Sequence, residues 1–107
     1  MSSRTPRETV SHLMDEHEAR EILSRQIENA RSRNYEDLIR LILEPVTHEV
    51  MGASGTWYQV EWNAVWDDKR TRHLRVLINI DDGTQEWTRR PLGEDFIMAP
   101  DGSFVGE

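Results

Sequence analysis

The chain predicts an α+β fold, with a long N-terminal helix and a short second helix packed on one face of a curved antiparallel sheet of four to six strands. Three observations predict it. Residues 6–43 contain no glycine and a single proline, Pro6, at their very start. Beyond Pro45 the apolar spacing changes from helical to alternating. Glycine and proline signals at residues 52–55, 82–83, 91–93 and 100–102 then cut the second region into strand-length pieces.

Thr5-Pro6-Arg7-Glu8 reads as a helix start, with Thr5 capping free amides, Pro6 at the first helical position and Glu8 completing a capping box. Residues 1–5 precede that cap and are expected to be flexible. From residue 6 to residue 33 Ala, Leu, Glu, Arg, Gln and Ile sustain helix propensity. The apolar positions fall on two stripes: Val10, Leu13, Met14 and His17 on one, and Ala19, Leu23, Ile27 and Ala30 roughly 120° away. The second half is therefore expected to lie on the domain, leaving the first to project, meet another subunit or bend away near residues 18–21. Asn34 caps a second helix over residues 35–43, with Glu36 and Asp37 where the dipole favours negative charge and Pro45 as its stop. Tyr35, Leu38, Ile39 and Ile42 form its buried face, which Leu41 and Leu43 widen.

Residues 46–105 read as a strand meander within one domain spanning 1–107. The first strand covers 46–51. In the second, Tyr58, Val60, Trp62, Ala64 and Trp66 share a face opposite Gln59, Glu61 and Asn63, and Trp57 also lies on the polar side. In the third, Leu74, Val76, Ile78 and Ile80 face away from His73, Arg75 and Asn79, with Leu77 breaking the pattern. A tight turn at Asp82-Gly83 would set Ile78 opposite Trp87, placing Thr88 and Arg90 on the polar face. Residues 96–99 and a short piece at Phe104 and Val105 complete the sheet.

Composition narrows the function. There are no cysteines, which removes disulfides, thiolate metal sites and cysteine nucleophiles. The net charge is −7, with seven basic against nine acidic residues in 1–44 and six against eleven thereafter. Without a basic stripe the chain is poorly equipped to neutralise phosphates, so neither nucleic acid nor an anionic membrane is expected as a partner. No signal-peptide-like or membrane-length apolar run is visible, and a cytoplasmic protein is expected. Phosphate-cradling, dinucleotide, serine-hydrolase and calcium-loop patterns are all missing from the sequence, and no cofactor is expected.

The stretch ENARSRNYEDLIRLI, residues 28–42, resembles the helical opening of NTF2-like proteins. That resemblance covers the first half of the chain and implies a bent sheet cupped against helices. Typical members are longer and carry a further helix before the main sheet, so a reduced, cystatin-like version fits this length better. Family members include isomerases, dehydratases and non-catalytic association domains, commonly dimeric, and the resemblance leaves function open.

His17-Glu18-Ala19-Arg20-Glu21 superficially resembles a zinc-protease helix, but Glu21 stands where the second histidine is needed, and a weak His17–Glu21 pair is the simpler account. No metal is expected. Gln59, Glu61, Asn63, His73, Arg75, Asn79, Glu86, Thr88 and Arg90 make a polar sheet face. Its plain reading is a solvated surface. Its functional reading makes Glu61 a general base partnered by His73, with Arg75 and Arg90 receiving an anion. On the apolar face Tyr58, Trp62, Trp66 and Trp87 offer an aromatic lining for a small-molecule pocket. Two functions follow: a non-catalytic module that self-associates, with a dimer favoured, or an NTF2-like ligand binder or enzyme of isomerase or dehydratase type.

Overall fold

The computed structural model describes residues 15–84 and 92–107. Helix α1 (Glu16–Arg31) opens at Asp15, whose backbone is extended and whose carboxylate accepts the Glu18 amide at 3.2 Å. The expected continuous helix from residue 6 is therefore interrupted at this position, because a cap followed by Glu16 and Glu18 satisfies the free amides locally. The expected cap at Thr5 lies outside the described residues. The second apolar stripe does face the domain: Ala19, Ile22, Leu23 and Ala30 are buried and Ile27 packs beside them.

Asn34 caps helix α2 (Tyr35–Ile39), accepting the Asp37 amide at 2.8 Å. The predicted helix over 35–43 does not stay α-helical. It tightens into a 3₁₀ turn at Arg40–Ile42, since Pro45 disfavours a helical residue before it and an α-helical carbonyl at Leu41. With three residues per turn rather than 3.6, Leu43 swings off the apolar face and stands 88% exposed, while Leu41 stays buried.

Among the described residues four strands follow in chain order, all antiparallel: β1 (Val46–Met51), β2 (Trp57–Asp68), β3 (His73–Asp81) and β4 (Leu92–Met98). They form a curved, unclosed sheet, at the lower end of the expected strand number. Alternation sends Tyr58, Val60, Trp62 and Ala64 of β2, and Leu74, Val76, Ile78 and Ile80 of β3, into one core with Phe96 and Met98. Phe104 adds only a single bridge to Met98. The β1–β2 connection is a three-residue hairpin: Gly55 donates to Gly52 and Gly52 to Thr56, with Gly55 at φ 91° closing the turn.

The β3–β4 register departs from expectation. Ile78 lies opposite Glu94, not Trp87. The Asp82-Gly83 pair is not a two-residue hairpin, because the Asp81 and Asp82 carboxylates accept the Gly83 and Thr84 amides at 2.8 and 2.9 Å and open a longer connection. Residues 85–91 of that connection, including Glu86, Trp87, Thr88 and Arg90, lie outside the described residues.

At its far end α1 holds the C-terminal segment. The Arg31 guanidinium makes two bonds to the Glu107 carboxylate, at 2.7 and 2.6 Å, and lies 3.9 Å from the Phe104 ring centre. Replacing Arg31 by Ala should lower the thermal midpoint by a few degrees, and Arg31→Met, which keeps a stem over the ring, should recover part of the loss in the same melt.

A candidate binding cleft and a carboxylate clamp

The helical layer rests on three strands, with α1 against β3 and β4 and the 3₁₀ turn against β2. Edge strand β1 projects past it. Its core-side residues are consequently only partly covered, Val46 being 47% exposed and His48 half-buried. The gap between β1, the second half of α1 and α2 is a cleft of about 640 Å³, within the range that holds small organic molecules.

Trp62 forms one wall of it. The indole is 7% exposed, and its N–H donates to Gln26 Oε1 at 2.8 Å. The His48 ring meets it edge-on, 6.4 Å between centres, and the Arg33 guanidinium lies 5.5 Å from its ring centre. Leu38, Leu41 and Val46 supply the apolar remainder. Arg33 is steadied by Asn29, whose Oδ1 accepts its Nε–H at 3.3 Å. Among the described residues no carboxylate lies within 4.0 Å of the guanidinium of either Arg33 or Arg40. Arg40, Asp37 and Glu44 also border the cleft.

The residues singled out from sequence are dispersed. Trp62 borders the cleft, whereas Tyr58 is fully buried and bonded to Glu18, and Trp66 is half-buried with Arg72 5.0 Å from its ring. Arg75 is committed to two carboxylates, Asp67 at 2.7 Å and Asp95 at 3.0 Å, one on each neighbouring strand, and these hold its proton more tightly than usual. The strand register does not bring Glu61 and His73 together. Glu61 lies opposite Asn79 and His73 opposite Asp68, six residues or about 20 Å apart along β3. Trp87 and Arg90 lie outside the described residues. Sequence reasoning missed Gln26, Arg33 and His48. His48 alternates with Val46 and Val50 on β1 and could have been placed on the core side by that pattern.

The helix stretch 17–21 behaves as two separate features. His17 and Glu21 form an exposed pair at 3.5 Å. Glu18 turns inward instead, and its carboxylate accepts the Ser54 amide at 2.9 Å, the Ser54 hydroxyl at 2.8 Å and the Tyr58 hydroxyl at 2.8 Å. It lies against Gly52, where an added Cβ would come within 2.6 and 2.7 Å of its oxygens. The Ser54 amide, the Ser54 hydroxyl and the Tyr58 hydroxyl all favour the ionised form and hold Glu18 below its usual value. Burial, reinforced by the bond to Glu18, pushes the Tyr58 phenol well above its own. The first turn of α1 is thereby clamped to the β1–β2 hairpin.

Among the described residues no helix is long and apolar enough to cross a membrane. No family model, no curated protein and no solved structure matches the chain.

Proposed function

We propose that this is a non-catalytic association module of the cytoplasm whose first partner is a second copy of itself, joined through β1. One observation carries the reading. Of the five exposed large apolar side chains among the described residues, Leu43, Val46, Met51 and Trp57 lie on β1, just before it, or directly opposite it on β2, and only Val65 lies elsewhere. Trp57, 53% exposed on the outer face beside Met51, belongs to this strip.

Backbone parity supports the same edge. The Gly52 to Thr56 bond makes that pair hydrogen-bonded, so the even positions 46, 48 and 50 bond to β2. Thr47, Glu49 and Met51 then direct their amides and carbonyls away from the sheet. Two β1 strands paired with Thr47 opposite the second copy's Glu49 keep both faces matched and bring Val46 onto the second copy's Val50. A register with Glu49 opposite Glu49 is disfavoured by like charge. The strand carries one formal charge, Glu49, and little else that would blunt an edge.

Sedimentation of the purified chain across micromolar concentrations tests this. The native chain should dimerise. Thr47→Pro removes an outward donor and no bond to β2, so it should sediment as a folded monomer. A native monomer, or an unchanged dimer in the proline variant, refutes the reading. The cleft favours a second reading, a small-ligand binder, and with Glu61 and His73 far apart it favours binding over turnover.

A further inference from the structure

We propose that the cleft beside Trp62 binds a small organic monoanion with a flat apolar body, of the arylacetate kind, its carboxylate held by Arg33 and the Gln26 amide.

The hydrogen-bond inventory selects the anion. An indole N–H only donates, so its bond to Gln26 Oε1 fixes the amide orientation and leaves the Gln26 NH₂ as the uncommitted end. Arg33 commits only its Nε–H to Asn29, and its remaining N–H groups meet no carboxylate among the described residues. A guanidinium has no acceptor, so both groups beside the indole ask for a ligand that accepts. The apolar side chains then define the rest: Trp62, Leu38, Leu41 and Val46 line a space large enough for a ring and a short linker.

The charge count limits the ligand to one negative charge. Arg33 and Arg40 share the lining with Asp37 and Glu44, so the formal charges around the cleft balance, two guanidiniums against two carboxylates. Of the two guanidiniums, Arg33 is the one that lies beside the indole, 5.5 Å from its ring centre. A dianion would meet the two carboxylates as well as the guanidiniums, whereas a monoanion needs only Arg33. Cation and ring also lie together, which favours a carboxylate that carries an aromatic ring over a purely aliphatic one.

The inference does not depend on self-association, and the Thr47→Pro variant serves to separate the two, since its cleft residues are unchanged. The test is a titration followed by ¹H–¹⁵N correlation spectra of the tryptophan indoles, with the Trp62 signal assigned through Trp62→Phe or, should that variant not fold, through backbone-linked spectra. Phenylacetate should move the Trp62 indole signal saturably in the millimolar range, in the native chain and in Thr47→Pro alike. Phenylacetamide, which has the same shape without charge, and inorganic phosphate should each bind at least about tenfold more weakly. Arg33→Gln, at an exposed position, should weaken phenylacetate about tenfold without altering the amide's binding, and Arg33→Lys should restore part of it. No saturable shift at Trp62, equal binding of acid and amide, tighter binding of phosphate, or indifference to Arg33→Gln overturns the proposal.

Discussion

Glu18→Ala should destabilise the domain by about 2 to 3 kcal/mol in urea unfolding, more than any other change to a charged side chain described above. Three donors converge on that carboxylate, and one of them, the Tyr58 hydroxyl, belongs to a fully buried residue that would be left unpaired. The same interaction can be broken from the other side. Gly52→Ala introduces a Cβ 2.5 Å from Glu18 Cδ, which forces the carboxylate off its donors. Gly52 is not among the glycines with positive φ, so the backbone itself accepts alanine. The two variants therefore act on one contact, and the double variant should be barely less stable than Glu18→Ala alone, with a coupling close to the full effect of Gly52→Ala. Additive losses would show that Gly52 matters for another reason.

The clamp also gives stability a pH window. The folded pKa of Glu18 lies below its ordinary 4.5, so its contribution is complete above about pH 4.5 and is lost as the pH falls through the depressed folded value. The folded pKa of Tyr58 lies above its ordinary 10.0, so the folded state keeps a phenol proton that the unfolded chain releases, and stability declines as the pH rises beyond 10. Between these limits the pair contributes a plateau. Glu18→Gln keeps an acceptor but no titration, so it should flatten the acid limb in particular.

The fold was legible wherever one rule acted alone. Period-two alternation placed every core residue of β2 and β3 correctly, and the Asn34 cap and Pro45 stop bounded the second helical segment. Reading failed where two local signals competed. Uninterrupted propensity hid the Asp15 cap, and an Asp-Gly pair that suits a tight hairpin instead formed side-chain turns, shifting the β4 register. Leu43 was misjudged because a switch from α to 3₁₀ turns a side chain by tens of degrees without changing the sequence pattern. The cleft was harder still. Its apolar part came from a recognised aromatic face, but Gln26, half-exposed on α1, and Arg33, exposed just after it, look like ordinary solvated surface until β1 is seen to extend past the helices.

Leu23→Ala should cost about 4 kcal/mol, and it tests which stretch of α1 holds the domain together. Leu23 is completely buried in the stripe that α1 lays against β3 and β4. Its neighbours Ala19 and Ala30 are already small and equally buried, so the helix backbone sits close to the sheet and has little room to settle into the space a leucine leaves. A cavity that cannot collapse puts the loss at the upper part of the usual range. Ile27→Ala removes a comparable side chain from a position only partly buried, where water can fill the gap, and should cost about half as much. Both should be measured at one protein concentration, because association through β1 would make the apparent stability depend on it. The contrast has a consequence for the cleft. Gln26 lies on α1 and Arg33 just beyond its end, so if Leu23 anchors α1 as argued, Leu23→Ala should broaden the Trp62 indole signal well below the unfolding midpoint, while Ile27→Ala leaves it sharp. Equal losses from the two variants would mean that α1 is held by its ends, through the Glu18 clamp and the Arg31 contacts, and not by its middle.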